Sequence, residues 1–298
     1  MSQVTVTEII ALVFDFDDTL MPDSTSKLLR AYSIKPEDFW PRSNELLEQG
    51  YDQSSAYLKL LLDNVRDGRP LGKLTNDDLM RFGGTLDGDF FPGLPGFFED
   101  IRAQVSSRFR NIDVEFYIIS GGLQAIMQGN GIVRKYFSAA YGCQLGEDPG
   151  TKVVNHIKRG ITFTEKTRYL FEINKGIKQA DSEVNPFLVN KDVKHEDRRI
   201  PVKNMVYVGD GLTDIPCFST VKVFGGQAFG VFDPTNPEKT KRALLEFLVP
   251  RRVVGMYRPR YGDTDELGAL LRMWVINRAA EIQIERDISR KATSNPSA

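Results

Sequence analysis

Three short apolar runs, each followed at once by a polar turn and a helical pattern, constrain the fold of this chain more than any other feature. The runs are rich in Val, Ile, Phe or Tyr and cover residues 9–14, 114–119 and 205–208. Compact runs of this kind are typical of parallel strands that are buried on both faces of a sheet. Strand, turn and helix in succession predict an α/β fold with a doubly wound, Rossmann-like parallel sheet.

The segment between the first two predicted strands is too long for a simple crossover. Its pattern is helical throughout: one helix is expected to begin at Ser24, and Asn76 or Thr75 could cap another. We therefore predict a helical cap over residues 24–90, inserted into a catalytic core made of residues 1–23 and 91–250. Residues 178–204 are polar and charged with few apolar anchors, which indicates an excursion on the surface.

Residues 251–298 are predicted to form a C-terminal extension beyond the core. Acidic residues and a threonine at 263–266 precede a long helical pattern with an apolar stripe. Such a stripe packs either on the core or on a second copy of the chain, so a homodimer through this helix is one expectation. The last residues, from Lys291 to Ala298, are expected to form a disordered tail.

The overall charge of the chain argues against a polyanionic partner. Its 39 basic and 40 acidic residues leave a formal net charge of -1, which predicts no bulk attraction to nucleic acid or to an anionic membrane. No apolar stretch approaches the length of a membrane span, and the N-terminal segment lacks the pattern of a signal peptide. Two cysteines form neither a disulfide framework nor a metal pattern, so we expect a cytoplasmic protein.

Two aspartates, Asp15 and Asp17, follow the first predicted strand. Because alternate side chains of a strand share a face, both carboxylates can point into one crevice. A lone pair of this kind often occurs by chance, but in doubly wound sheets ligands bind at the carboxyl ends of the strands. An aspartate can attack phosphorus as a nucleophile, which is the role predicted for Asp15. Asp17 could protonate the leaving group and then deprotonate water.

A second acidic group, Asp210 and Asp214, follows the third predicted strand. Several carboxylates cannot gather around a phosphate dianion without a compensating cation, and magnesium prefers oxygen ligands. The natural side-chain ligands are Asp15 and Asp210, with the backbone carbonyl of Asp17 as a third ligand.

Ser120, Gly121 and Gly122 follow the second predicted strand at an expected helix start. Such a start offers free N–H groups to an anion, and glycines allow a phosphate to approach closely, although a plain helix cap is the alternative. A cation from the protein is also needed to neutralise the phosphate charge and to hold the nucleophile, and Lys166 and Lys175 are the candidates. We choose Lys166, because a lysine near a helix N-terminus opposes the helix dipole, whereas a lysine in the last turn is ordinary.

Taken in order, these motifs resemble those of the haloacid dehalogenase superfamily. They are Asp15-Phe-Asp-Asp-Thr19-Leu20, Ser120 at the end of its strand, Lys166, and Gly209-Asp210-Gly211-Leu-Thr-Asp214. The helical cap between the first two motifs, together with Ser-Gly-Gly and Gly-Asp-Gly, is similar to the phosphoserine phosphatase branch. Thr213 and Leu123 depart from that branch, where asparagine and phenylalanine are usual.

The resemblance implies a magnesium-dependent phosphatase that hydrolyses a small phosphorylated metabolite through an aspartyl-phosphate on Asp15. The implied residues are Asp15 and Asp17 for catalysis, Thr19, Ser120, Gly121 and Lys166 for the substrate phosphate, and Asp15, Asp17 and Asp210 for the metal. Asp214 would orient the metal shell or Lys166. Two alternatives stay open: a phosphomutase of the same fold, and a non-catalytic protein that binds a phosphate ligand.

Overall fold

The computed structural model describes residues 7–294 and contains one seven-stranded sheet flanked by helices. The strands are β1 Glu8–Phe14, β2 Ile112–Leu123, β3 Phe137–Glu147, β4 Val154–Arg159, β5 Met205–Gly209, β6 Gln227–Val231 and β7 Met256–Tyr257. Their order in the sheet is β4-β3-β2-β1-β5-β6-β7. All neighbours are parallel except β3 and β4, which confirms the predicted doubly wound α/β fold.

The central strand β1 determines where a site can form. It pairs in parallel with β2 on one side and with β5 on the other. Its residues from Ile10 to Phe14 are fully buried, because the sheet is covered on both faces. The three predicted strands are therefore direct neighbours, and their carboxyl ends meet at one edge of the sheet. This edge receives Asp15, Ser120 and Asp210.

Four α-helices lie in the predicted cap, and the first of them begins at the expected residue, Ser24. They are α1 Ser24–Ala31, α2 Pro36–Glu48, α3 Gln53–Asp63 and α4 Asn76–Gly84. Asp23 caps α1 by accepting a hydrogen bond from the amide of Thr25, and Thr75 and Asp78 form a capping box on α4. Because these hydrogen bonds form within the first turn of each helix, the helix boundaries could be predicted from the sequence.

The remaining helices cover the sheet or connect its strands. They are α5 Gly96–Arg108, α6 Gln124–Gly129, α7 Gly131–Tyr136, α8 Phe163–Lys175, α9 Gln179–Val184, α10 Ile215–Val223, α11 Pro237–Ala243 and α12 Glu266–Ser294. The predicted excursion over residues 178–204 contains α9 and three short 3-10 turns, and it is largely exposed. No helix within residues 7–294 combines the length and the apolar character that crossing a membrane would require.

The apolar stripe of α12 packs on the core of its own chain, with Leu267, Leu271 and Val275 fully or almost fully buried. A homodimer through α12 stays a prediction, and it would have to use other residues of the helix. The disordered tail expected from Lys291 onward is wrong for residues 291–294, which continue α12. A basic residue in the last turn complements the helix dipole there. Residues 295–298 lie outside the described residues.

Candidate active site

Three carboxylates meet at the carboxyl edge of the sheet. Asp15 directly follows β1, Asp210 directly follows β5, and Asp214 immediately precedes α10. One oxygen from each of these side chains lies within 4.8 Å of the other two. The backbone amide of Asp15 donates to the carbonyl of Val208 at 2.9 Å, which extends the β1–β5 pairing into the site. The parallel register of the two strands therefore places the acids together.

Lys166 neutralises part of this negative charge from within the protein. It lies in the first turn of α8 and is fully buried, with Nζ 2.7 Å from Asp15 Oδ2 and 2.7 Å from Asp214 Oδ1. Burial alone lowers the pKa of Lys166, but the two carboxylates outweigh it and raise the pKa above its usual range. Lys175 instead donates to the carbonyls of Val189 and Lys191. Of the two candidate lysines, Lys166 is the one that reaches the acids.

The carboxylate of Asp214 is committed to hydrogen bonds within the protein. Besides Lys166, its Oδ1 accepts a hydrogen bond from the hydroxyl of Tyr207 at 2.7 Å, and its Oδ2 accepts one from the amide of Gly211 at 2.9 Å. The side chain is fully buried. This arrangement fits a residue that orients Lys166 and the loop after β5. Tyr207 was not among the sequence candidates, and its position as a tyrosine inside an apolar strand was the available signal.

Asp17 lies beside the acidic cluster rather than in it. Its Oδ1 accepts a hydrogen bond from the amide of Ser24, the first residue of α1, at 2.7 Å. Burial and then the charge of Asp23 raise the pKa of Asp17 well above its ordinary value. Burial and the neighbouring charge therefore oppose ionisation of this carboxyl group, whereas the hydrogen bond from Ser24 favours it.

Ser120, Gly121 and Gly122 lie within β2, so their local structure differs from the prediction. β2 continues to Leu123, and α6 begins only at Gln124, so Ser120 and Gly121 do not open a helix. A register shift against β3 lies between Ile119 and Leu123, which allows the chain to remain extended past the serine. The expected helix start is therefore wrong for these residues, and the phosphate contacts predicted for Ser120 and Gly121 stay a prediction.

The α-carbon of Gly122 lies directly against the Asp17 carboxylate. A β-carbon built on Gly122 would be 2.4 Å from Asp17 Oδ2 and 3.4 Å from Ser120 Oγ. The Oγ of Ser120 accepts a hydrogen bond from the amide of Gly122 at 3.0 Å. The absence of a side chain at Gly122 is thus what allows Asp17 and Ser120 to occupy the same part of the crevice.

Gly122→Ala is expected to displace the Asp17 carboxylate and to lower kcat by about 10²-fold, the lower end of what general acid–base catalysis contributes. The fold should survive, because the clashing atom ends a side chain that can rotate. Gly96→Ala is the matched control, since a β-carbon there would meet nothing within 4 Å and Gly96 lies outside the predicted site. Steady-state kinetics and thermal unfolding of both variants test this, and a wild-type kcat for Gly122→Ala would contradict it.

Asp210 lies close to other negatively charged side chains. Burial, followed by the charges of Asp15, Asp18 and Asp214, raises its pKa well above the ordinary value. Its Oδ1 accepts a long hydrogen bond of 3.4 Å from the hydroxyl of Thr19. Carboxylate oxygens held together in this way are the donors that hard divalent cations take. Asp15, Asp210 and the carbonyl of Asp17 thus suit magnesium by donor type, whereas Asp214 is fully engaged elsewhere.

Helix α3 of the cap contacts the end of β2 and the segment that precedes α8. The hydroxyl of Tyr57 donates to the carbonyl of Gly121 at 2.7 Å, and the hydroxyl of Ser54 donates to the carbonyl of Ile161 at 2.6 Å. Both side chains are buried. In the sequence, Tyr57 could be assigned only to the cap core. The structure shows that its polar end contacts a residue of the predicted phosphate site.

The fold that these elements form is known from solved structures. A haloacid dehalogenase family hydrolase from Salmonella enterica serovar Typhi matches with a TM-score of 0.54 and 14% identity over 87% of this chain and 69% of that one. A phosphoserine phosphatase, solved as a phospho-aspartyl intermediate analogue, matches with a TM-score of 0.50 and 16% identity over 89% and 99%. A probable phosphoserine phosphatase from Vibrio cholerae matches with a TM-score of 0.53 and 14% identity over 92% of this chain and 67% of that one.

These similarities confirm a haloacid dehalogenase fold of the phosphoserine phosphatase type. No protein-family profile matches the sequence. An uncharacterized protein of Borreliella burgdorferi is 31% identical over 234 residues, a match that covers 70% of this chain and 77% of that protein. The chain therefore belongs to the same family as this Borreliella burgdorferi protein.

Proposed function

We propose that the chain is a magnesium-dependent phosphatase that hydrolyses a phosphate monoester of a small metabolite through an aspartyl-phosphate on Asp15. The observation that carries the proposal is the buried ion-paired cluster of Asp15, Lys166 and Asp214, with Asp17 and Asp210 beside it. A structural ion pair alone would not require the further acids on the same edge of the sheet. Phosphoryl transfer uses such a combination of nucleophile, proton donor and fixed cation.

In the first step an oxygen of Asp15 attacks phosphorus and the bond from phosphorus to the ester oxygen breaks. Asp17 donates its proton to that leaving oxygen, so the product alcohol departs neutral. Lys166 holds the carboxylate of Asp15 in place at 2.7 Å. Magnesium bound by Asp15, Asp210 and the carbonyl of Asp17 would supply positive charge to the phosphate oxygens.

In the second step a water molecule attacks the phosphorus of the aspartyl-phosphate. Asp17, now a carboxylate, accepts a proton from this water, and the bond between phosphorus and the Asp15 oxygen breaks. Inorganic phosphate is released, and both aspartates regain their starting states. The proposed hydroxyl contacts of the transferring group are Ser120, which lies against Gly122 as Asp17 does, and Thr19, which donates to Asp210.

The cap supports a small metabolite as the substrate. Hydrogen bonds from α3 join the cap to the core beside the predicted phosphate site, and a cap that closes over a crevice excludes bulky polymers. The net charge of -1 gives no general attraction to polyanions. We also propose a cytoplasmic location, with which the buried free thiols of Cys143 and Cys217 are compatible.

The direct test is phosphate release by the purified full chain from an aryl phosphate and from a panel of phosphorylated metabolites, with magnesium and with excess chelator. We expect release that requires magnesium and that is fastest for a small ester. Faster release from a folded phosphoprotein would overturn the substrate class. A folded, magnesium-binding chain that moves phosphate between two positions of a sugar phosphate without releasing it would favour the phosphomutase instead.

A further inference from the structure

The C-terminal extension reaches the active-site loop through one side chain. Tyr261 is fully buried, and its hydroxyl donates to the backbone carbonyl of Thr19 at 2.8 Å. Thr19 is itself fully buried, and its own hydroxyl donates to Asp210. A residue far outside the motifs therefore contacts the backbone of the loop that carries Asp15 and Asp17.

The position of the Tyr261 hydroxyl is determined by rigid surroundings. Its ring lies 6.2 Å from that of Phe14, the residue before Asp15, and 5.7 Å from that of Phe97. Its backbone amide donates to the carbonyl of Pro92 at 2.7 Å, and its carbonyl accepts a hydrogen bond from Arg272 at 3.1 Å. With the ring and both backbone groups held, the hydroxyl has little freedom to leave Thr19.

Two adjacent backbone carbonyls of the turn after the catalytic aspartates accept hydrogen bonds from donors outside the loop. The amide of Phe91 donates to the carbonyl of Leu20 at 2.9 Å, and Tyr261 supplies the second donor to the neighbouring carbonyl of Thr19. These two donors belong to segments in direct contact, because a β-carbon built on Gly93 would lie 2.2 Å from the amide nitrogen of Gly262. Without the hydroxyl, a buried carbonyl would lose its partner.

We propose that Tyr261 is a positioning residue for residues 15–19, holding the Thr19 carbonyl so that Asp15, Asp17 and the Thr19 hydroxyl keep their productive geometry. This inference rests on the proposed phosphatase function. Displacements of about 1 Å at a reacting group can cost about 10²-fold in rate, so a loop with one external anchor removed is expected to react more slowly. The C-terminal extension is then part of the catalytic apparatus.

Tyr261→Phe tests the proposal, because it removes the hydroxyl and keeps the ring in the core. Tyr136→Phe is the matched control: Tyr136 is also buried, and its hydroxyl donates to the exposed Glu99 rather than to the loop. We expect amide hydrogen exchange over residues 16–21 to be about ten-fold faster in Tyr261→Phe, with no change in Tyr136→Phe. We also expect kcat to fall about ten-fold while KM changes less than about two-fold.

Each outcome either supports or contradicts the positioning role of Tyr261. Unchanged exchange over residues 16–21, equal effects in the two variants, or faster exchange with a wild-type kcat would overturn the proposal. If wild-type protein hydrolysed no ester, the proposed function would fail. The exchange measurement, which needs neither substrate nor metal, would still show whether Tyr261 holds the loop.

Discussion

Replacing Asp15 by asparagine is expected to abolish phosphate release from every ester that the wild-type chain hydrolyses. The loss should reach at least about 10³-fold, as is typical when a covalent nucleophile is removed. Asparagine keeps the shape of the side chain and an oxygen that can accept from Lys166, and Asp214 remains as the second partner of that lysine. The fold should therefore persist while the chemistry stops, as steady-state rates and thermal unfolding will show.

A trapping experiment separates a missing nucleophile from a damaged site. Wild-type protein quenched during turnover and reduced with borohydride should carry a modification on Asp15 that peptide mass spectrometry can locate. Asp113→Asn is the matched control, because Asp113 is an exposed aspartate on the neighbouring strand. Phosphate release at wild-type rate by Asp15→Asn, or a modification at another residue, would contradict the mechanism.

Lys166→Met is expected to lower the free energy of unfolding by about 3–5 kcal/mol, the usual range when one partner of a buried ion pair is removed. Methionine has a similar length but no charge, so two buried carboxylates, Asp15 and Asp214, would face each other without their shared cation. Activity should fall as well, because the nucleophile would lose its anchor. Urea denaturation gives the stability and steady-state kinetics gives the rate.

The control for this variant is Lys175→Met, the other lysine that the sequence offered for the same role. Its ammonium meets backbone carbonyls of residues 189 and 191 at the far end of α8, so its replacement should leave kcat unchanged. The assignment of Lys166 would be refuted if Lys175→Met lost activity and Lys166→Met retained it.

Local sequence signals were sufficient for most of the fold. Runs of buried β-branched and aromatic residues predicted β1, β2 and β5, because a strand covered on both faces needs apolar side chains on both. Capping residues marked the cap helices for a similarly local reason, since each cap bonds within its own first turn. The helix-dipole argument also chose the lysine that the structure places against Asp15.

Sequence reasoning failed where a contact depended on residues distant in the chain. A helix was expected directly after Ser120, yet pairing with β3 keeps the chain extended to Leu123. The partners of the Tyr207 and Tyr261 hydroxyls could not be predicted from local sequence, because they depend on how whole elements pack. The roles assigned to the individual site residues stay predictions until the variants are measured.

By itself, then, the sequence determined the α/β architecture, the helices of the cap and the acidic motifs at the ends of β1 and β5. These features arise from interactions within a few residues, so periodicity and capping reveal them. Only the tertiary structure decided that Asp214 bonds Lys166 and Tyr207, that Gly122 lies against Asp17, and that Tyr261 reaches Thr19. The physical reason is that burial and hydrogen bonding across the sheet edge depend on how the elements pack, which no single segment encodes.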